Sequence, residues 1–155
     1  MADRKLAAVA LGSNLGDRDA HLDFAVSRLR SLLADLRLSR YFETAAIDVP
    51  HPQAPFLNAA AVGVAGTTAR ELLDALLAIE RERGRHRPYV HAPRTLDLDL
   101  VLFGDAIVEE PGLQVPHPRF RERRFVLEPL AEIAPALRDP VTGRTIAELL
   151  ERLPE

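Results

Sequence analysis

Residues 96–100 read Leu-Asp-Leu-Asp-Leu, and that strict alternation predicts a β-strand with one apolar and one acidic face. In such a strand Leu96, Leu98, Leu100 and Leu102 turn into a core, while Asp97 and Asp99 share the opposite face. Two residue rises set the carboxylates roughly 6–7 Å apart along the strand. Two divalent cations about 3.5–4 Å apart can share such a pair, with phosphate oxygens and water completing their octahedra. A solvated strand face gives the same pattern. Like charges on one face repel, however, and a bound cation removes that cost. The alternation therefore predicts a metal site at Asp97 and Asp99.

The rest of the chain supplies partners for this strand. An apolar run, Leu6 to Leu11, predicts a buried strand, closed by the loop Gly12-Ser13-Asn14-Leu15-Gly16. Leu22, Val26, Leu29 and Leu33 recur at helical spacing after Asp17. Leu36 to Thr44 and Phe56 to Val64 read as strands, separated by a proline-rich loop from Ala45 to Pro55. Thr68 and Glu71 form a capping box for a second helix that ends at Gly84. A second loop runs from Arg85 to Pro93. Short strands are expected from Ala106 and over Leu113 to Val115. Pro118 is placed to open a helix that Pro129 should kink or split, and Thr145 with Glu148 caps a last helix. The order β-α-β-β-α-β predicts an α+β protein, a ferredoxin-like sandwich with a mainly antiparallel sheet and extra C-terminal strands and helices. At 155 residues, with no linker and no repeat, residues 1–155 read as one domain.

Composition narrows the function classes. The net charge is −3, which argues against a sequence-independent nucleic-acid binder. There is no cysteine, hence no disulfide, thiolate metal site or cysteine nucleophile. No run of 18 apolar residues predicts a membrane span, and Met1 to Lys5 leads into a strand rather than a signal peptide, so the cytoplasm is the expected location. Lys5 is the sole lysine among 20 cations. Within this acidic chain, arginines gather locally. Arg85, Arg87 and Arg94 lie in or beside the loop that enters the two-aspartate strand, where guanidinium forks suit a polyphosphate. Arg81, Arg83 and Arg124 read instead as surface or ion-pair residues. His117, held between Pro116 and Pro118, is a candidate phosphate donor. Phe56, Asn58 and Phe125 could clamp a flat heterocycle and read its edge, although phenylalanines more often serve the core. P-loop, protein-kinase and dinucleotide fingerprints are absent.

Taken in order, several pieces match one family. They are Gly12-Ser13-Asn14-Leu15-Gly16, Phe56-Leu57-Asn58-Ala59-Ala60, Ile79-Glu80 with Gly84-Arg85, Pro93 to Asp99, Val115-Pro116-His117-Pro118-Arg119, and Arg123 with Phe125. The chain resembles the 6-hydroxymethyl-7,8-dihydropterin pyrophosphokinases of folate biosynthesis over nearly its whole length. The resemblance implies transfer of diphosphate from ATP to the hydroxymethyl group of a reduced pterin, with release of AMP. It implies two Mg²⁺ ions on Asp97 and Asp99, and catalytic arginines at Arg85 and Arg94. It implies ATP contacts from Glu80, Arg85, Arg87, Arg94, Gln114, His117 and Arg123. The pterin would stack between Phe56 and Phe125, with Asn58 and the chain at Thr44, Ala45 and Ile47 reading its edge. The substrate hydroxyl would be activated by a metal ion together with Asp97. Small-molecule substrates, no nucleic-acid or membrane partner, and a monomer are expected. Gly112 and Gln114 stand where some members carry an arginine and a threonine, and His91-Ala92 replace a common Trp-Gly. The alternative is another two-metal phosphoryl or nucleotidyl transferase on a ferredoxin-like sheet, which would share the aspartates but leave Phe56, Asn58 and Phe125 unexplained. A non-catalytic RNA-binding module would leave the aspartates unexplained too.

Overall fold

In the computed structural model, residues 4–45, 53–84 and 95–154 are described. The central sheet contains β1 (Lys5–Ser13), β2 (Leu33–Leu38), β3 (Phe42–Thr44), β4 (Phe56–Ala65) and β5 (Asp97–Phe103). Its order is β2-β4-β1-β5, with β3 pairing the same strand β4 that β2 pairs, and every pairing is antiparallel. The two longest strands, β1 and β4, are therefore central, and β5 forms one edge. A two-stranded hairpin of β6 (Val108–Glu110) and β7 (Leu113–Val115) stands apart from this sheet.

Helices cover both faces. On one face lie α1 (Arg18–Leu32) and α2 (Ala69–Glu82), whose Leu22, Ala25, Leu29, Leu72, Leu76 and Ile79 pack on Val9, Leu11, Ala59, Leu98 and Leu100. On the other lie α3 (Arg124–Ile133) and α4 (Ile146–Glu151), whose Val126, Leu127, Leu130, Ile146 and Leu149 pack on Ala8, Ala10, Ala60 and Val62. The alternation of side chains along β1 and β4 feeds both layers, so these strands carry almost unbroken buried runs. Both expected capping boxes form. Thr68 exchanges bonds with Glu71, and Thr145 with Glu148.

Four boundaries differ from expectation, each for a local reason. Leu33 ends the helical spacing but begins β2, because the chain passes from α1 into the sheet with no intervening loop. A Cβ at Gly63 would sit 2.7 Å from the Leu33 Cβ, so β2 can lie on β4 there only because position 63 has no side chain. The expected strand at 36–44 is two strands, and Asp35, at φ 53°, lies in the register shift that bends β2. Leu102 joins the α3 side of the core rather than that of Leu98 and Leu100, since the β1–β5 register slips between Ala8 and Val9. The helical break falls at Arg123, between a 3-10 turn (Phe120–Glu122) and α3, while Pro129 sits buried within α3.

Candidate active site

The cleft begins at the free edge of β5. Asp97 and Asp99 are half-buried and lie on one face, with Leu98 and Leu100 buried on the other. Among the described residues β5 pairs only with β1, yet its outer edge is not left bare. The Leu98 N–H donates to Glu80 Oε2 at 2.7 Å, and the Val101 carbonyl accepts from His117 N–H at 2.9 Å. Glu80 is 2% exposed, so α2 places a buried carboxylate against the backbone between the two aspartates.

Around this edge is a cleft of about 630 Å³. One wall is α2, through Leu73, Leu77 and Glu80. The floor is Asp97 to Leu100, the far wall is the hairpin from Glu110 to Gln114, and His117, Pro118 and Arg123 close the end. The hairpin wall is tied to α2 by Arg70, whose Nη2 donates to Glu110 Oε2 at 3.0 Å and to the Pro111 carbonyl at 3.1 Å. Nothing in the sequence pattern singles out this wall, because a helix N-terminus and a hairpin tip meet only through tertiary packing. Gln114 lines the cleft from an exposed position on β7.

One nitrogen of His117 is already engaged. Its Nδ1 accepts the Arg119 N–H at 3.2 Å, so the neutral ring carries its proton on Nε2. Burial pushes its pKa down, Arg123 pushes the same way, Asp97 opposes, and Arg119 adds a little more downward. At neutral pH the ring is therefore an uncharged hydrogen-bond donor among arginines and an aspartate.

A second region adjoins the first across the sheet. Pairing places Asp97 opposite Gly12, and Gly12 opposite Asn58. With strands about 4.8 Å apart, the Asp97 and Asn58 backbones flank the glycine at about 10 Å from each other. A Cβ at Gly12 would lie 3.4 Å from Asn58 Oδ1 and 3.9 Å from the Phe56 ring, so the bare glycine leaves the row open. Asn58 is buried, and its Nδ2 donates to Thr44 Oγ1 at 2.6 Å. Thr44 and Phe56 are facing partners of β3 and β4. Phe125, in the first turn of α3, is 37% exposed, with the Arg123 guanidinium over its ring at 5.5 Å. Neither Phe56 nor Phe125 is among the buried core residues.

Of the sequence-predicted residues, Glu80, Asp97, Asp99, Gln114, His117 and Arg123 line one cleft. Thr44, Phe56 and Asn58 cluster at the adjoining end of β3 and β4, with Ala45 exposed just beyond. Ile47, Arg85, Arg87 and Arg94 lie outside the described residues. Of the three arginines read as surface or ion-pair residues, Arg81 and Arg124 are exposed, whereas Arg83 is half-buried. Arg83 donates to His21 and stacks on Phe24, and Arg124 pairs with Glu128. Among the described residues, no three His, Asp or Glu side chains gather as a metal cage. The donor set is thus two carboxylates of hard oxygen on an open cleft. That suits a small cation which takes one or two carboxylates and completes its shell with substrate oxygens and water.

Comparison with known proteins gives a consistent result. The family model described as 7,8-dihydro-6-hydroxymethylpterin-pyrophosphokinase (HPPK) matches residues 8–135. A 2-amino-4-hydroxy-6-hydroxymethyldihydropteridine pyrophosphokinase of Synechocystis is 41% identical over 150 residues, covering 95% of this chain and 75% of the relative. The enzyme of that name from Pseudomonas aeruginosa is 42% identical over 148 residues, covering 94% and 90%. In fold, the chain is similar to the Plasmodium falciparum HPPK-DHPS crystal structure, with a TM-score of 0.75 at 15% identity. That match covers 98% of this chain and 45% of the longer one.

Proposed function

Since the chain belongs to the 7,8-dihydro-6-hydroxymethylpterin-pyrophosphokinase family, we propose that its cleft transfers diphosphate from ATP to the hydroxymethyl group of 6-hydroxymethyl-7,8-dihydropterin in folate biosynthesis. The hydroxymethyl oxygen bonds to the β-phosphorus, the bond from that phosphorus to the α–β bridging oxygen breaks, and AMP leaves. The hydroxyl proton passes to solvent. The observation that carries this reading is the row Asp97–Gly12–Asn58. It joins a cleft with acidic and cationic groups to a neighbouring stretch of β3 and β4 that carries an aromatic ring and an amide.

In this reading the nucleotide lies along β5 and the pterin lies over the ends of β3 and β4. Asp97 and Asp99 would hold Mg²⁺, which would neutralise phosphate charge and polarise the transferring group. The protein's own groups do the rest by placement and electrostatics, which can carry most of a phosphoryl transfer. His117 Nε2–H and the Arg123 guanidinium donate to phosphate oxygens from the end of the cleft. Glu80 holds the Leu98 N–H and so fixes the stretch of β5 between the two carboxylates. Arg85 and Arg94 serve the transferring group and Arg87 the nucleotide, as their places in the sequence suggest. Phe56 and Phe125 stack on the pterin, while Asn58, with Thr44 and the chain at Ala45 and Ile47, reads its polar edge. Gln114 faces the nucleotide from the hairpin wall. The reading includes a monomer in the cytoplasm. Among the described residues, no helix is long and apolar enough to cross a membrane.

The test is product formation from MgATP with and without hydroxymethyl-dihydropterin. AMP and pterin diphosphate should appear in equal amounts, and only when the pterin is present. ADP as the nucleotide product, or AMP formed equally well without pterin, would overturn the reading.

A further inference from the structure

Arg18 opens α1, an unfavourable place for a cation, because the helix N-terminus is the positive end of the peptide dipole. Asp17 already caps that end by accepting the Ala20 N–H at 3.1 Å. The arginine is explained by what it reaches instead. Its Nη1 donates to the Pro55 carbonyl at 2.7 Å, and its Nη2 donates to Glu43 Oε2 at 2.9 Å. These two partners are 12 residues apart in sequence but neighbours in space. Glu43 directly precedes Thr44, and Pro55 directly precedes Phe56, and Thr44 and Phe56 are register partners. Beside this fork, Asn14 Nδ2 donates to Gln53 Oε1 at 2.8 Å and to the Ala54 carbonyl at 3.3 Å.

We infer that Arg18 is a positioning residue for the pterin half of the site, a deduction that rests on the function proposed above. One guanidinium fork spans the last strand residues of β3 and the entry to β4, and so sets the spacing of Thr44 from Phe56. An exposed ion pair alone would contribute little. Here Glu43 is exposed, but the Arg18 side chain is half-buried and its other bond goes to backbone, so both strand ends are tied to α1. The contacts stand on the β3–β4 side of Gly12, while the nucleotide cleft stands on the β5 side. Loss of the fork should therefore weaken pterin binding and spare ATP.

The experiment is steady-state kinetics on the full chain for wild type, Arg18→Ala, Arg18→Lys and Glu43→Gln. Arg18→Ala should raise the pterin KM about tenfold with the ATP KM changed by less than about twofold. Arg18→Lys should recover part of the loss, since an ammonium can reach one partner but not fork across both. Amide exchange at residues 42–44 and 56–58 should quicken in Arg18→Ala without activity being needed for the readout. If that variant does not fold, the lysine and glutamine variants carry the same comparison. An unchanged pterin KM, or equal rises in both KM values, would overturn the inference. Wild type without pterin-dependent AMP would instead overturn the functional reading, and the inference with it.

Discussion

Asp97→Ala is expected to lower turnover on the order of a thousandfold while leaving the protein folded, because it removes half of the proposed two-carboxylate cation site. Asp97 is half-buried on the floor of a cleft, and neither hydrophobic cluster includes it. Its removal creates no core cavity, so the thermal midpoint should move by no more than a few degrees. Asp97→Asn sharpens the point. It keeps the size and hydrogen-bonding edge of the side chain but removes the charge, and should be nearly as inactive. Turnover within about threefold of wild type in either variant would mean that the cation sits elsewhere.

The second large effect is on stability. Asp139 is fully buried and accepts from Arg121 Nε and Nη2, from the Thr142 hydroxyl at 2.7 Å and from the Val141 N–H at 3.0 Å. Burial alone would push its carboxyl up, but these donors outweigh burial and hold it at about 2. Asp139→Ala strands those donors and should cost about 2–4 kcal/mol. For a chain of this size that is roughly 10 °C in Tm. Arg121 lies in the 3-10 turn directly before Arg123, so the same variant should also raise the ATP KM. The pH dependence has a definite sign. A carboxyl with a folded pKa below its unfolded value near 3.9 stabilises fully above that value. That contribution is lost as pH falls from about 4 through about 2. The gap in stability between wild type and Asp139→Ala should therefore narrow on acidification. Urea or thermal melts at pH 7, 4 and 2.5 measure it, and a gap that stayed constant would contradict the assignment.

How much of this was legible in the sequence depended on whether the signal was local. The Leu-Asp alternation of 96–100 fixed the faces of β5, and the Thr-x-x-Glu spacings fixed two helix starts, because each depends on neighbours within one turn or two strand steps. The ferredoxin-like order followed from those elements in sequence. Leu102 went astray because the slip in β5 is a property of its pairing with β1. Leu33 was misassigned because apolar spacing is the same whether the last leucine closes a helix or opens a buried strand. Of the proposed site, the residue types stand out in the sequence and their grouping does not. The cleft walls at Leu73, Leu77 and Glu110 to Leu113 look like ordinary helix and hairpin residues until α2 and β6–β7 meet. Arg18 looks like a surface arginine until β3 and β4 reach it.

The proposed site has two carboxylates on one face of β5 holding a cation together with the nucleotide's phosphates. Titration calorimetry with a non-hydrolysable ATP analogue, at increasing Mg²⁺, tests it on wild type and on Asp97→Asn/Asp99→Asn. Mg²⁺ should tighten analogue binding at least about tenfold in wild type, and the double variant should lose this dependence. An equal Mg²⁺ dependence in both proteins would contradict it.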